Sequence, residues 1–205
     1  MPQWTFFYTF ALHMDSKPQF QRNTIVVDAD YLEEVASNLS TFLSEKIHRA
    51  IPSADLAEWL VCCAIDASVE GGENTFQVIF VHSPALASLA HFTPCDFSAD
   101  LDGKAFRDPL MGEFLVSAVC DEHVNMGLPL FVQSVEILLS EPQVEKLILV
   151  ADIKRFGYSL SPELEKSAKN VTLLTMTPDE ALPIHQEILG YSLFHAMGIE
   201  PDELN

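Results

Sequence analysis

From Glu113 onward the chain alternates short apolar runs with capped amphipathic stretches, and this alternation restricts the fold more than any other feature. Glu113–Asp121 reads as a strand and Gly127–Ser140 as a helix. Lys146–Asp152 is the next strand, followed by a helix opened by Ser161 and Pro162. Val171–Met176 is the last strand, and Thr177-Pro-Asp-Glu180 has the form of a capping box opening a final helix. A βαβαβα succession of this kind gives a parallel, doubly wound sheet with helices on its faces, because parallel neighbours need long crossover connections.

The first half reads differently. Trp4–Leu12 is rich in aromatics and threonine, and Phe20–Val27 follows a polar turn at Asp15-Ser-Lys-Pro18, so the two predict a hairpin. Asp30 and Glu33 then resemble a capping box. Leu32, Val35, Ala36, Leu39, Phe42, Leu43 and Ile47 recur at helical spacing up to Pro52. The run from Trp59 to Val69 fits either a helix or a buried strand. The turn Glu70-Gly-Gly-Glu-Asn74 and the clear strand Thr75–His82 favour a second hairpin, so residues 59–69 are taken as a strand. Ser83-Pro84 predicts a short helix. Phe92–Gly112 has no period and reads as a long loop, either a functional lid or a poorly ordered connection. The expected fold is therefore a single α/β domain over residues 1–205. It has a mixed sheet of about seven strands, with antiparallel hairpins in the first half and the doubly wound half after it.

Thirty acidic residues face eleven basic ones, for a formal charge of -19, yet 48% of the chain is hydrophobic. An apolar fraction this high builds a core, so the charge belongs to the surface of a folded protein. Such a surface repels nucleic-acid backbones and anionic lipid, and it suits a cationic protein partner or metal ion. The charge is uneven. Residues 50–103 hold eight acids and residues 179–205 six, with no lysine or arginine in either stretch. Five of the eleven basic residues (Lys146, Lys154, Arg155, Lys166 and Lys169) lie close together.

Cys62, Cys63, Cys95 and Cys120 form no CxxC pair and lack zinc-site spacing, and three of them sit in or beside apolar runs. They read as reduced core residues. Residues 1–8 lack the basic n-region of a signal peptide, and no apolar run reaches the length of a membrane helix, so the expected location is the cytoplasm.

Chemistry in an open α/β sheet is sought beyond the carboxyl ends of its parallel strands. Asp121, Glu122 and His123 follow one strand and Asp152 another. If those strands are adjacent, the four residues form a candidate divalent-metal site of mostly oxygen ligands, able to activate water or orient a phosphate ester. The alternative is that strand-end acids cap the turns and helices that follow, accepting bonds from free backbone N–H groups. His82 ends a further strand and reads as a half-buried, hydrogen-bonded residue. The eight glycines form neither GxGxxG nor GxxxxGK[ST], so neither phosphate cradle is present and no organic cofactor is implied. Cys120 and His123 project to opposite faces if the strand persists, which argues against a thiol–base pair. Asp100-Leu-Asp102-Gly103 resembles part of a calcium loop, but Pro109 stands where the bidentate Glu belongs. On the last helix, Leu182, Ile188, Leu189, Leu193, Ala196 and Met197 form an apolar stripe beside His185 and His195. Tyr191, Phe194 and Trp4 are candidate contacts between copies or core residues.

Three functions compete on these residues. One is a non-catalytic binding or interaction protein, in some versions a homodimer, that presents its acidic surface to a cationic partner. Another is a Mg²⁺- or Mn²⁺-dependent hydrolase or phosphotransfer enzyme built on Asp121, Glu122, His123 and Asp152. The last is a small-molecule sensor with the 92–112 loop as its lid.

Overall fold

A computed structural model of the chain describes residues 20–122, 128–156 and 159–204. The strands are β1 (Asn23–Asp28), β2 (Ala54–Asp55), β3 (Asn74–His82), β4 (Phe92–Thr93), β5 (Lys104–Asp108), β6 (Gly112–Cys120), β7 (Lys146–Val150), β8 (Asn170–Thr175) and β9 (His185–Ile188). The helices are α1 (Ala29–Ile47), α2 (Leu56–Asp66), α3 (Leu130–Ser140), α4 (Ser161–Lys166) and α5 (Leu189–Ala196). The main sheet has seven strands in the order β5-β6-β3-β1-β7-β8-β9, and β2 pairs with β4 beside it. All neighbours in the main sheet are parallel except β5 and β6. The expected α/β architecture, a mixed seven-stranded sheet with helices, is the one observed.

Strand alternation assigns the side chains to two cores. Ile25, Val27, Ile148 and Val150 face the layer of α1, α2 and α5. Val26, Leu147, Leu149, Val171 and Leu173 face the layer of α3 and α4. Central strands buried on both faces are apolar without interruption, which is why Thr-Ile-Val-Val and Leu-Ile-Leu-Val carry no polar alternation.

Several local expectations are corrected. Both edges of β1 are taken by the parallel strands β3 and β7, so the segment read as Phe20–Val27 is a central strand and has no edge for a hairpin partner. Trp4–Leu12 lies outside the described residues. Residues 59–69 are not a strand: Leu56–Asp66 is α2, with Asp55 accepting from the backbone N–H of Ala57 (2.9 Å) and Glu58 (3.0 Å). Ser83-Pro84 forms a turn rather than a helix. The Thr177 box opens no helix either. After it the chain makes a seven-stranded sheet's last edge strand, β9, and only then α5.

The 92–112 segment is not a structureless loop. It contains β4, a single π-helical turn at Phe97–Leu101 and β5, and it buries Phe92, Phe97, Leu101, Phe106 and Met111. Its acids hold its backbone. Asp96 accepts from Ser98 and Ala99, Asp102 from Ala118, and Asp108 from Leu110 and Met111. The hairpin of the sheet is here, between β5 and β6. Gly112 makes it possible: its φ is +102°, and a Cβ would lie 2.2 Å from the Asn74 carbonyl oxygen.

Candidate functional site

Counted in chain order, the six parallel strands lie in the sequence 3-2-1-4-5-6, so the direction of winding reverses between β1 and β7. That reversal is where doubly wound sheets of this order bind ligands. Here β1 runs straight into α1 with no glycine turn between them. Asp28 ends the strand and caps the helix, accepting from the N–H of Tyr31 at 3.1 Å. A phosphate would need that N-terminus empty, and a carboxylate fills it instead.

The described polar side chains around the crevice are paired with one another or with backbone groups. Arg155, just after β7, pairs with Glu34 and stands 3.8 Å from Asp28, with its guanidinium 5.3 Å over the Tyr31 ring. The Tyr31 hydroxyl accepts from the N–H of Met176 (2.8 Å) and lies 3.3 Å from Thr175 Oγ1. Asp30, expected to cap α1, instead reaches across to β3. Its carboxylate accepts from the Ser83 N–H (2.7 Å) and hydroxyl (2.6 Å). Burial pushes the Asp28 carboxyl up to about 6 from its ordinary 3.8, although the Tyr31 N–H and the Arg155 charge both oppose that rise.

The expected metal ligands do not come together. β3 and β1 lie between β6 and β7, so Asp121 and Asp152 sit about three strand spacings apart, roughly 14 Å. The adjacency that a shared ion requires is absent. Each acid has a backbone role. Asp121 accepts from the N–H of Leu130 at 2.8 Å, at the start of α3, and Asp152 accepts from Lys154 at 3.0 Å. Glu122 is exposed beside a turn, and His123 lies outside the described residues. Among the described residues no group of three histidines, cysteines or carboxylates is placed to hold a metal ion. His82 stacks flat on Phe97 (4.1 Å between ring centres) with Nδ1 3.0 Å from the Ser83 carbonyl, a packed residue as expected.

All four cysteines are unpaired thiols. Cys63 is buried, and burial pushes the half-buried Cys62 up to about 11, far from a reactive thiolate.

A second region is open. Between the start of α2 and the end of α5 lies a cleft of about 740 Å³, with Tyr191 and Phe194 on one wall and Asp55, Glu58 and Glu200 among its carboxylates. α5 ends in a left-handed turn at Gly198 (φ +63°). The N–H groups of Gly198 and Ile199 return to the carbonyls of His195 and Phe194, which turns the chain back to bury Ile199 and form the floor. The residues lining the cleft run from Pro52 to Glu58 and from Tyr191 to Leu204. Every one therefore belongs to one of the two stretches that have no lysine or arginine. The nearest cations are committed: Arg49 to Glu203 (2.9 Å) and Lys46 to the Leu204 carbonyl (2.6 Å).

A family model matches residues 17–204. The chain belongs to this family, a family of unknown function (DUF6621). The match spans both regions, so the strand-end crevice and the acidic cleft both lie inside the family's own unit. Comparison with curated proteins and with solved structures finds no match.

Proposed function

We propose that this member of the family is a non-catalytic binding protein whose acidic surface engages a cationic protein partner. The observation that carries this reading is the convergence of the two base-free stretches. Residues 50–103 and 179–205 are far apart in sequence, yet α2 and α5 pack together, and Asp55 and Glu58 of the first stretch line one cleft with Glu200 of the second. Asp66 shows the crowding: burial first, and then the charge of Glu187, raises its carboxyl above the ordinary range.

The strand-end acids support the same choice, because Asp28, Asp30, Asp121 and Asp152 are all engaged by backbone or neighbouring groups and so are poor metal ligands or acid–base catalysts as they stand. Self-association through the acidic face is disfavoured, since a two-fold interface would set that face against itself. Nucleic acid and anionic lipid are repelled for the same reason. No helix among the described residues is long and apolar enough to cross a membrane. The unpaired thiols fit a reducing compartment such as the cytoplasm.

The test is the salt dependence of binding to a labelled oligolysine. Affinity should fall steeply between about 30 and 300 mM salt, as the screening length shortens, with oligoglutamate not bound at all. Absence of oligolysine binding at low salt removes the proposal.

A further inference from the structure

We propose that the cleft between α2 and the C-terminal end of α5 is the docking site for an arginine-bearing, partly apolar segment of a partner protein. This rests on the binding-protein reading and gives it a place and a recognition chemistry.

Two features of the cleft favour one arginine over a general cation. The Tyr191 ring is 68% exposed, more than any other large hydrophobic side chain described, and with Phe194 it offers aromatic surface to a planar guanidinium. Glu58 and Glu200 provide carboxylates for its N–H fork. Glu58 is held only by His195 Nε2 at 3.1 Å, and Glu200 has no side-chain partner among the described residues.

The positive helix pole at the start of α2 contributes no competing attraction for anions, because the Asp55 carboxylate already accepts two of its N–H groups. His195 is the single ionisable nitrogen in the lining, and the neighbouring Arg49 and Lys46 touch lining residues only at the carbonyls of Gly198 and Leu204. The apolar share of the guest follows from the half-buried Phe194 and Leu204, which line the cleft with the exposed Tyr191. A bare oligolysine would satisfy the charge and leave that apolar surface uncovered.

The experiment measures the affinity of a labelled peptide of alternating arginine and leucine for the full chain, as wild type and as Tyr191→Ala, Glu58→Gln and Glu163→Gln. Glu163 is an exposed acid on α4, in the other helical layer, and its variant removes the same charge as Glu58→Gln. Thermal melts confirm that each variant is folded. Tyr191→Ala should weaken binding about three- to thirtyfold, and Glu58→Gln should weaken it comparably, with Glu163→Gln unchanged. Equal small losses in all three variants would mean diffuse attraction and would overturn the cleft while leaving the acidic-surface reading standing. A peptide that fails to bind where oligolysine binds does the same. Failure of both ligands overturns the cleft and the reading together.

Discussion

Two regions of this molecule are rich in carboxylates, and they use them in opposite ways. At the reversal point of the sheet, Asp28, Asp30 and Asp152 are tied to backbone N–H groups, and Arg155 lies over Tyr31 beside Asp28. In the α2–α5 cleft, which the exposed Tyr191 also lines, Glu200 has no side-chain partner among the described residues and Glu58 meets only His195. The contrast teaches that position in a fold is not function. The crevice stands where doubly wound sheets bind ligands, and its polar groups have been spent on holding β1, α1 and β7 together. The cleft has no such precedent, but it has the unspent chemistry.

The largest effect should come from α2, which carries one side of the cleft. Trp59 on α2 is fully buried, its ring edge-on to Phe92 with centres 5.7 Å apart. Trp59→Ala should cost about 3–5 kcal/mol in denaturant unfolding. A loss under about 1 kcal/mol would show that α2 is only loosely attached, and the cleft with it.

The next effect separates the two regions by pH. Asp28 has a folded value near 6 against 3.8 unfolded, so the native state holds a proton more firmly than the unfolded chain. Its contribution to stability is therefore full below about pH 3.8 and is lost as pH rises through about 6. Asp28→Asn keeps an acceptor for the Tyr31 N–H and removes the titration. It should stabilise the protein at pH 7.5 by up to about 3 kcal/mol and leave pH 3.5 unaffected. Arg155→Ala should act the other way, destabilising by roughly 1–3 kcal/mol at pH 7.5 and by less at pH 4, where Asp28 is protonated. Equal losses at both pH values would remove Asp28 from the explanation.

The smallest effect concerns the expected metal ligands. Asp121→Ala should cost about 1 kcal/mol as a lost cap and Asp121→Asn much less. Thermal melts with Mg²⁺ or Mn²⁺ should shift wild type and Asp121→Asn alike. A metal-specific rise that disappears in Asp121→Asn would revive the enzyme.

Legibility in the sequence follows from where each element lies. β3, β6, β7, β8, α1 and α3 were readable because their apolar period is clean. α2 was not, although Leu56, Trp59, Leu60 and Cys63 keep helical spacing. Its flanking Val61 and Cys62 are half-buried as well, so the helix is apolar almost all round and imitates a buried strand. β5 and β9 are edge strands with one large apolar residue, Phe106, in Lys104-Ala-Phe-Arg-Asp108 and a polar start in His185-Gln-Glu, and edge positions tolerate that polarity. The metal site failed on strand order, which no local pattern encodes. Arg155 and Tyr31 were missed for the same reason. The acid-only stretches around α2 and α5 were visible as composition; their meeting on one face was not.

The most direct test of the central contrast is an amide NMR titration of the 22.8 kDa chain with the arginine–leucine peptide. The account predicts shifts concentrated at Ser53–Glu58 and Tyr191–Glu200, with Asp28–Tyr31 and Asp152–Arg155 unmoved. Shifts centred on Asp28 and Arg155 would contradict it, and would return the binding site to the reversal point of the sheet.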